Sequence, residues 1–251
     1  MDIEGVERVG FFAQNLRTGK VIAQKRDDEI FRSASTIKVA IACAVMEQVE
    51  IGRLSLTQRV NVKDFVGGSG LLRLMFNNVS PTVDTMLQLM LTVSDNTASN
   101  VLIDLVGKKA VNELMKRFGF HNIKLHGKFM RPRKKKFNVV TPREIAQLLG
   151  LIFKRKVISR SASSYIVKIL SFQQHTSLVP SSLPGWWVKC INKPGALSDL
   201  RADVAVVWGK DFSYCVSIFA EGFEDASVAE SEIRRISREI FDKARSGGDD
   251  G

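Results

Sequence analysis

The chain is short of metal-binding residues. Its 251 residues include three cysteines, Cys43, Cys190 and Cys215, and three histidines, His121, His126 and His175. No CxxC or HxxxH spacing occurs, which argues against a structural zinc site. The cysteines lie in apolar runs and read as buried thiols. The histidines lie in polar or basic surroundings and read as surface residues. No apolar stretch approaches the roughly 20 residues of a membrane-crossing helix. Met1-Asp2-Ile3-Glu4 carries neither the basic start nor the apolar run of a secretory leader, which fits a chain kept inside the cell or one already trimmed. Internal repeats are absent, and residues 246–251 form a low-complexity tail expected to be disordered. The sharpest absence is of acid: residues 114–143 contain no Asp or Glu but ten Lys or Arg.

What is present is an ordinary globular composition, 45% apolar and 25% charged, with a formal net charge of +11. A chain of this length buries one large core or two intimately packed ones. The positive balance admits acidic partners: nucleic acid, anionic membrane, a charged cell-wall polymer or small carboxylates. A soluble protein with a basic face is the favoured account over nucleic-acid binding. Nucleic acid is disfavoured, because no aromatic platform interleaves the basic run at 131–136.

Residues 8–16 read as a strand, Arg17-Thr18-Gly19-Lys20 as a turn, and Val21-Ile22-Ala23 as the start of a return strand. A helix is expected over about 35–50, with Ile37, Ile41, Ala44, Val45 and Val49 at helical spacing and Gly52 as its stop. Residues 53–81 are loop-rich around Gly67-Gly68-Ser69-Gly70. Further helices are expected near 82–92, 96–106, 109–118, 141–153 and 161–171. In the fourth of these, Thr141 is the cap, Pro142 the first position and Glu144 the capping-box acid. Strands return at 186–192, 202–208 and 214–221, and a last helix covers about 225–245. A lone hairpin is marginally stable. The economical solution is an α/β (α+β) fold: an antiparallel sheet of about five strands assembled from both chain ends, with flanking helices, beside an all-helical lobe. The expected division is 1–31 with 186–251 for the sheet lobe and 32–185 for the helical lobe, the site lying between them.

Three short motifs carry chemistry. In Ser35-Thr36-Ile37-Lys38, residues three apart share a helix face, so hydroxyl and amine can meet. Burial and nearby cations lower a lysine pKa and make it a base for serine, while first-turn N–H groups can hold an oxyanion. The bland reading is a first-turn serine and a solvated lysine. In Ser94-Asp95-Asn96, the bland reading is a helix cap, and the functional one a second serine that relays a proton to a leaving amine. Lys193-Pro194-Gly195 reads either as a turn or as a lysine that attracts a substrate carboxylate, with a glycine that lets substrate backbone approach the strand edge.

Taken together and in this order, SxxK, SDN and Lys-x-Gly resemble the signature set of class A β-lactamases and penicillin-binding proteins. The separations resemble a class A β-lactamase with a shortened middle, and the resemblance covers nearly the whole chain. It implies Ser35 as nucleophile, Lys38 as base or relay, Ser94 as donor to the leaving nitrogen, Asn96 as a substrate contact and Lys193 as the carboxylate contact. The backbone N–H groups of Ser35 and Ala196, beside Gly195, would form the oxyanion hole. Asp203 is assigned a structural role. No cofactor or metal is implied. The implied partner is a small-molecule β-lactam or a peptidoglycan-like peptide, a monomer is favoured, and family members are usually exported, with a cytoplasmic location still open.

The pattern breaks in three places. Pro194 replaces the usual Thr or Ser and removes a hydroxyl and an N–H. The family's first helix is absent or truncated before the first strand. The glutamate that activates the deacylating water has no counterpart: counting forward from Ser94, its position falls near Arg131, and Asn138 is the nearest match for its companion asparagine. Arginine stays protonated and cannot act as the base, and loss of a general base costs about 10²–10⁴ in rate. Lys38, or a carboxylate folded in from elsewhere such as Asp64, would have to serve. The expected function is therefore that of a β-lactamase-family serine hydrolase forming an acyl-Ser35 enzyme with slow or non-standard deacylation. The alternatives are a D-Ala-D-Ala-type peptidase or esterase, and a binding or sensor module without turnover.

Overall fold

A computed structural model describes residues 5–75, 80–131 and 136–246. Residues 1–4, the centre of the basic run (132–135) and the tail from 247 onward lie outside the described residues. β1 (Arg8–Asn15) and β2 (Val21–Lys25) form the expected hairpin. Asn15 Oδ1 accepts the backbone N–H groups of Arg17 at 2.8 Å and Thr18 at 3.0 Å, which helps close the turn. The late strands are β5 (Lys189–Leu197), β6 (Leu200–Trp208) and β7 (Ser213–Glu221). They join the hairpin in one antiparallel sheet of order β2-β1-β7-β6-β5. The fold is the expected α+β arrangement.

Two strand features differ from expectation. β5, expected to stop at 192, runs on through Lys193, Pro194 and Gly195, paired with β6 without a register shift. A two-residue pair also forms between β3 (Phe31–Arg32) and β4 (Val139–Val140), which sequence pattern does not announce. It ties the chain leaving the sheet to the end of the acid-free loop.

Seven α-helices occur among the described residues: α1 (Lys38–Glu50), α2 (Val83–Thr92), α3 (Asn96–Val106), α4 (Lys108–Arg117), α5 (Pro142–Phe153), α6 (Arg160–Leu170) and α7 (Ala226–Ser246). Every residue of α1 from Lys38 to Met46 is buried, and α2, α3, α4 and α6 pack around it. Its small residues Ala40, Ala42, Cys43 and Ala44 permit that close approach. α5 covers the inner face of the sheet and α7 the outer face. One apolar core runs from the inner face through the helices, and a second lies under α7.

Two helix starts correct the sequence reading. Residues 34–37 form a lead-in of tight turns, with Thr36 N–H on Ser33 O and Lys38 N–H on Ser35 O, so α1 begins at Lys38 and not at Ser35. Thr141 does cap α5, its hydroxyl accepting from Glu144 N–H at 3.2 Å. The Glu144 carboxylate, however, accepts from the backbone N–H groups of His121, Asn122 and Ile123, so it pins a neighbouring turn and does not close a capping box. Cys43 and Cys215 are buried thiols as expected, while Cys190 is only half-buried. The three histidines are exposed.

Candidate active site

Ser35 sits in the lead-in turn, where the chain leaves β3 and enters α1. The turn presses against β5. A Cβ on Gly195 would stand 2.9 Å from Ala34 Cβ and 3.0 Å from Ser35 N. Glycine is needed there to admit the chain's own Ser35 turn, whereas the sequence reading gives it the role of admitting substrate backbone.

The second motif lies opposite. Asp95 caps α3 through Ala98 N–H at 2.9 Å and also accepts from the N–H groups of Leu71 and Leu72. Those bonds hold the glycine-rich loop against the helix start. Ser94, just before the cap, takes the left-handed backbone value of φ 57, an uncommon conformation for serine. It is over-determined by its neighbours: Lys38 Nζ donates to Ser94 O at 2.6 Å and to Asn96 Oδ1 at 2.9 Å, and lies 3.2 Å from Ser94 Oγ. Asn96 Nδ2 in turn donates to Gly67 O.

The third motif closes the cluster. Lys193 Nζ donates to Ser94 Oγ at 3.0 Å and to Pro194 O at 3.0 Å. β5 is an edge strand. Along an antiparallel strand each residue directs its N–H and C=O to the same side, and the side alternates. Regular pairing through Pro194, which has no N–H, places that residue's polar side on the open edge. Ala196, two residues on, presents its N–H to the same edge. Ser35 shares one cavity of about 240 Å³ with Ser94, Gly195 and Ala196, and another of about 140 Å³ with Asn96, Phe129 and Met130.

Both lysines are fully buried, at 0% exposure. Desolvation holds Lys38 well below the ordinary lysine value, Lys193 lowers it further, and Asp95 opposes the shift. Burial lowers Lys193 to about 7, with Asp203 pulling it back up. Asp203 is itself buried, accepting from Asn192 Nδ2 and Val179 N–H, which fits the structural role assigned to it. A neutral amine has two donors and one lone pair. At Lys38 the Ser94 carbonyl and Asn96 Oδ1 accept only, so the lone pair is left for a hydroxyl proton.

The acid-free loop is placed differently from the count along the chain. Arg131 pairs with Asp64 at 2.6 Å, in a groove with Asn100 and Lys128 that Ser35 does not line. Asp64 is thereby tied down away from Ser35. Asn138 is buried, but its side chain accepts from His126 and Gly127 N–H and donates to Gly127 O, so it fastens the loop to itself. The residue facing Lys38 is Phe129, whose ring centroid lies 4.5 Å from Nζ. Asn100 clamps Phe129 through both of its backbone groups, at 2.8 and 3.0 Å. Sequence reasoning missed Phe129 and Asn100. Asn100 was within reach, since it follows Asn96 by four residues on one helix face.

Comparison with known proteins agrees with this geometry. The profile of the Beta-lactamase enzyme family matches residues 3–244. The chain belongs to that family. Beta-lactamase BRO-1 of Moraxella catarrhalis is 22% identical over 235 residues, covering 88% of this chain and 75% of that protein. The beta-lactamase of Sphaerobacter thermophilus superposes with a TM-score of 0.89 at 27% identity, covering 94% of this chain and 91% of the other. A point mutant of PBP-A, solved as its acyl-enzyme complex with penicillin G, shares the fold with a TM-score of 0.87 at 24% identity, covering 95% of this chain and 90% of the other. The family and the fold make this chain a β-lactamase or penicillin-binding type of serine hydrolase. No helix among the described residues is long and apolar enough to cross a membrane.

Proposed function

We propose that Ser35 takes up the acyl group of a β-lactam or a D-Ala-D-Ala-type peptide, and that the resulting ester is released slowly. The observation that carries the reading is Ser94 Oγ within hydrogen-bond distance of two fully buried lysines, in a cavity that Ser94 lines together with Ser35. Ser35 Oγ attacks the carbonyl carbon, and its proton passes to neutral Lys38. The carbonyl oxygen becomes an oxyanion held by Ser35 and Ala196 N–H. The C–N bond then breaks, and Ser94 delivers a proton to the leaving nitrogen while regaining one from Lys38. Lys193 attracts the substrate carboxylate, without the hydroxyl that a Thr or Ser at position 194 would add. Asn96 orients both Lys38 and the acyl amide.

Slow release follows from Phe129. Hydrolysis of the ester needs a base beside Lys38, and an aromatic ring occupies that place. This favours a penicillin-binding acyl-enzyme over a rapid β-lactamase. The test is intact-protein mass spectrometry after mixing with benzylpenicillin. One adduct of the whole drug is expected, persisting long after mixing, and none on Ser35→Ala, whose acylation falls by about 10⁴-fold or more. An adduct on Ser35→Ala would remove Ser35 as nucleophile. Fast product formation without an accumulated adduct would remove slow release. Release of D-alanine from a peptide ending in D-Ala-D-Ala would mark a peptidase, and its absence a module that binds without turnover.

A further inference from the structure

Just before β5 the chain crosses the surface as Gly185-Trp186-Trp187-Val188. Val188 N–H bonds Gly185 O at 3.4 Å, so the two tryptophans are the central residues of one tight turn. Gly185 holds φ +70, and a Cβ there would stand 3.0 Å from Trp187 Nε1. Glycine therefore lets the turn close against the second indole.

The two indoles have different surroundings. Trp187 is anchored. Its ring centroid lies 6.0 Å from that of Phe241 on α7 and 6.4 Å from that of Phe212 in the turn between β6 and β7. Phe212 and Phe241 meet edge to face at 5.6 Å, and the Arg245 guanidinium stands 5.0 Å over Trp187. Trp186 is 93% exposed, whereas Trp187 is 41% exposed. Apolar residues scattered singly on a surface need no explanation. An indole held out in water on a rigid aromatic base marks a contact surface.

The rim of this surface is cationic. Lys189 opens β5 directly after the turn, and Lys210 lies two residues before Phe212. Arg238 and Arg245 flank Phe241 at three and four residues on one face of α7. All four are exposed. The acids among them are Asp211, beside Lys210, and Asp242, which pairs with Arg238 at 3.1 Å. Positive charge is left in excess.

Tryptophan ringed by Lys and Arg suits the boundary between lipid headgroups and acyl chains. The net charge of +11 adds long-range attraction to an anionic surface. A second copy of this face would bring like charges together, and a neutral glycan would give the cations no counter-charge. We infer that this corner of the sheet docks on an anionic phospholipid surface, with Trp186 entering the headgroup layer and Lys210 and Arg245 meeting lipid phosphates. The inference does not depend on the acyl-Ser35 reading. Ala196 lies seven residues along β5 from Lys189, about 23 Å at roughly 3.3 Å per residue. Docking here leaves the Ser35 cleft uncovered.

The test sediments the full chain with vesicles of equal parts phosphatidylglycerol and phosphatidylcholine, and with phosphatidylcholine alone. Binding is expected to the mixed vesicles, with a shift of tryptophan emission to shorter wavelength. It should be about tenfold weaker on the neutral ones, and be lost at about 1 M salt, where the Debye length is roughly 3 Å. Trp186→Ser should weaken binding about tenfold or more and remove the emission shift, while Trp186→Phe keeps the binding. Lys210→Ser and Arg245→Ser should each weaken it about fivefold. Lys109→Ser and Lys116→Ser, on α4, change the net charge as much and should leave binding within about twofold. Trp186→Ser should keep the Tm and the reaction with benzylpenicillin of the unmodified protein. No binding to the mixed vesicles, or equal binding by Trp186→Ser, overturns the inference. An equal loss in the α4 variants does so too, because it reduces the effect to net charge. A Trp186-dependent dimer without lipid, or Trp186-dependent retention on purified peptidoglycan in place of vesicles, would assign the surface to another partner and likewise overturn it.

Discussion

The two sides of Ser35 are built on opposite principles. On one side Lys38, Ser94, Lys193 and Asn96 satisfy one another, desolvation lowers the pKa of both buried amines, and Lys193 lowers that of Lys38 further. On the other side Phe129, Met130 and Phe137 offer surface without a titrating group. In the proposed mechanism the first side moves a proton from Ser35 to a leaving nitrogen. The second has nothing to take a proton from water. On that proposal, making and breaking an acyl-serine are separable devices: the first would be complete while the second is missing.

The strongest way to break that contrast is to install a base on the apolar side. Phe129→Glu places a carboxylate where the ring faces Lys38, and should raise the rate of acyl release from benzylpenicillin by about 10²–10⁴-fold. Arg131→Glu should leave release within about twofold, because Arg131 points to Asp64 and not to Ser35. Stopped-flow decay of the adduct measures both, and the reverse ranking would restore Arg131 as the loop's counterpart. A smaller effect is expected where the two sides meet. Gly195→Ala drives a methyl into the Ser35 turn and should cost about 1–3 kcal/mol, seen as a Tm drop of roughly 2–10 °C with slower acylation. An unchanged Tm and rate would show that the turn yields freely. The mildest test is of pH. Lys193, lowered to about 7, is an ammonium below that value and loses its charge above it. Acylation by an anionic penicillin should decline by up to about tenfold per pH unit above 7, and more steeply than acylation by a neutral ester. Equal profiles for the two substrates would mean that Lys193 does not receive the carboxylate.

The polar side was legible from sequence because its residues come in short local motifs at element boundaries. Ser35, Lys38, Ser94, Asn96 and Lys193 could be named once the three motifs were set, in their order, beside those of the family they resemble, and a sheet built from both chain ends followed from where the strands lie. The apolar side was not legible. Counting along a shortened loop pointed to Arg131, whereas the clamp that decides its path is a pair of bonds between residues 29 apart, Asn100 and Phe129. Side-chain bonds to backbone leave no periodic signal. The same cause hid the second role of Glu144 and the self-fastening by Asn138. The start of α1 was misplaced because tight turns and a true first helical turn share the same residue preferences.

The burial of α1 on every side has a consequence for durability. Elements with the densest apolar surroundings open last, often only with the whole molecule. The Ser35 turn leads directly into this innermost rod. Warming should therefore spare the reactive serine until cooperative melting, so that loss of acylation and loss of structure arrive at one temperature.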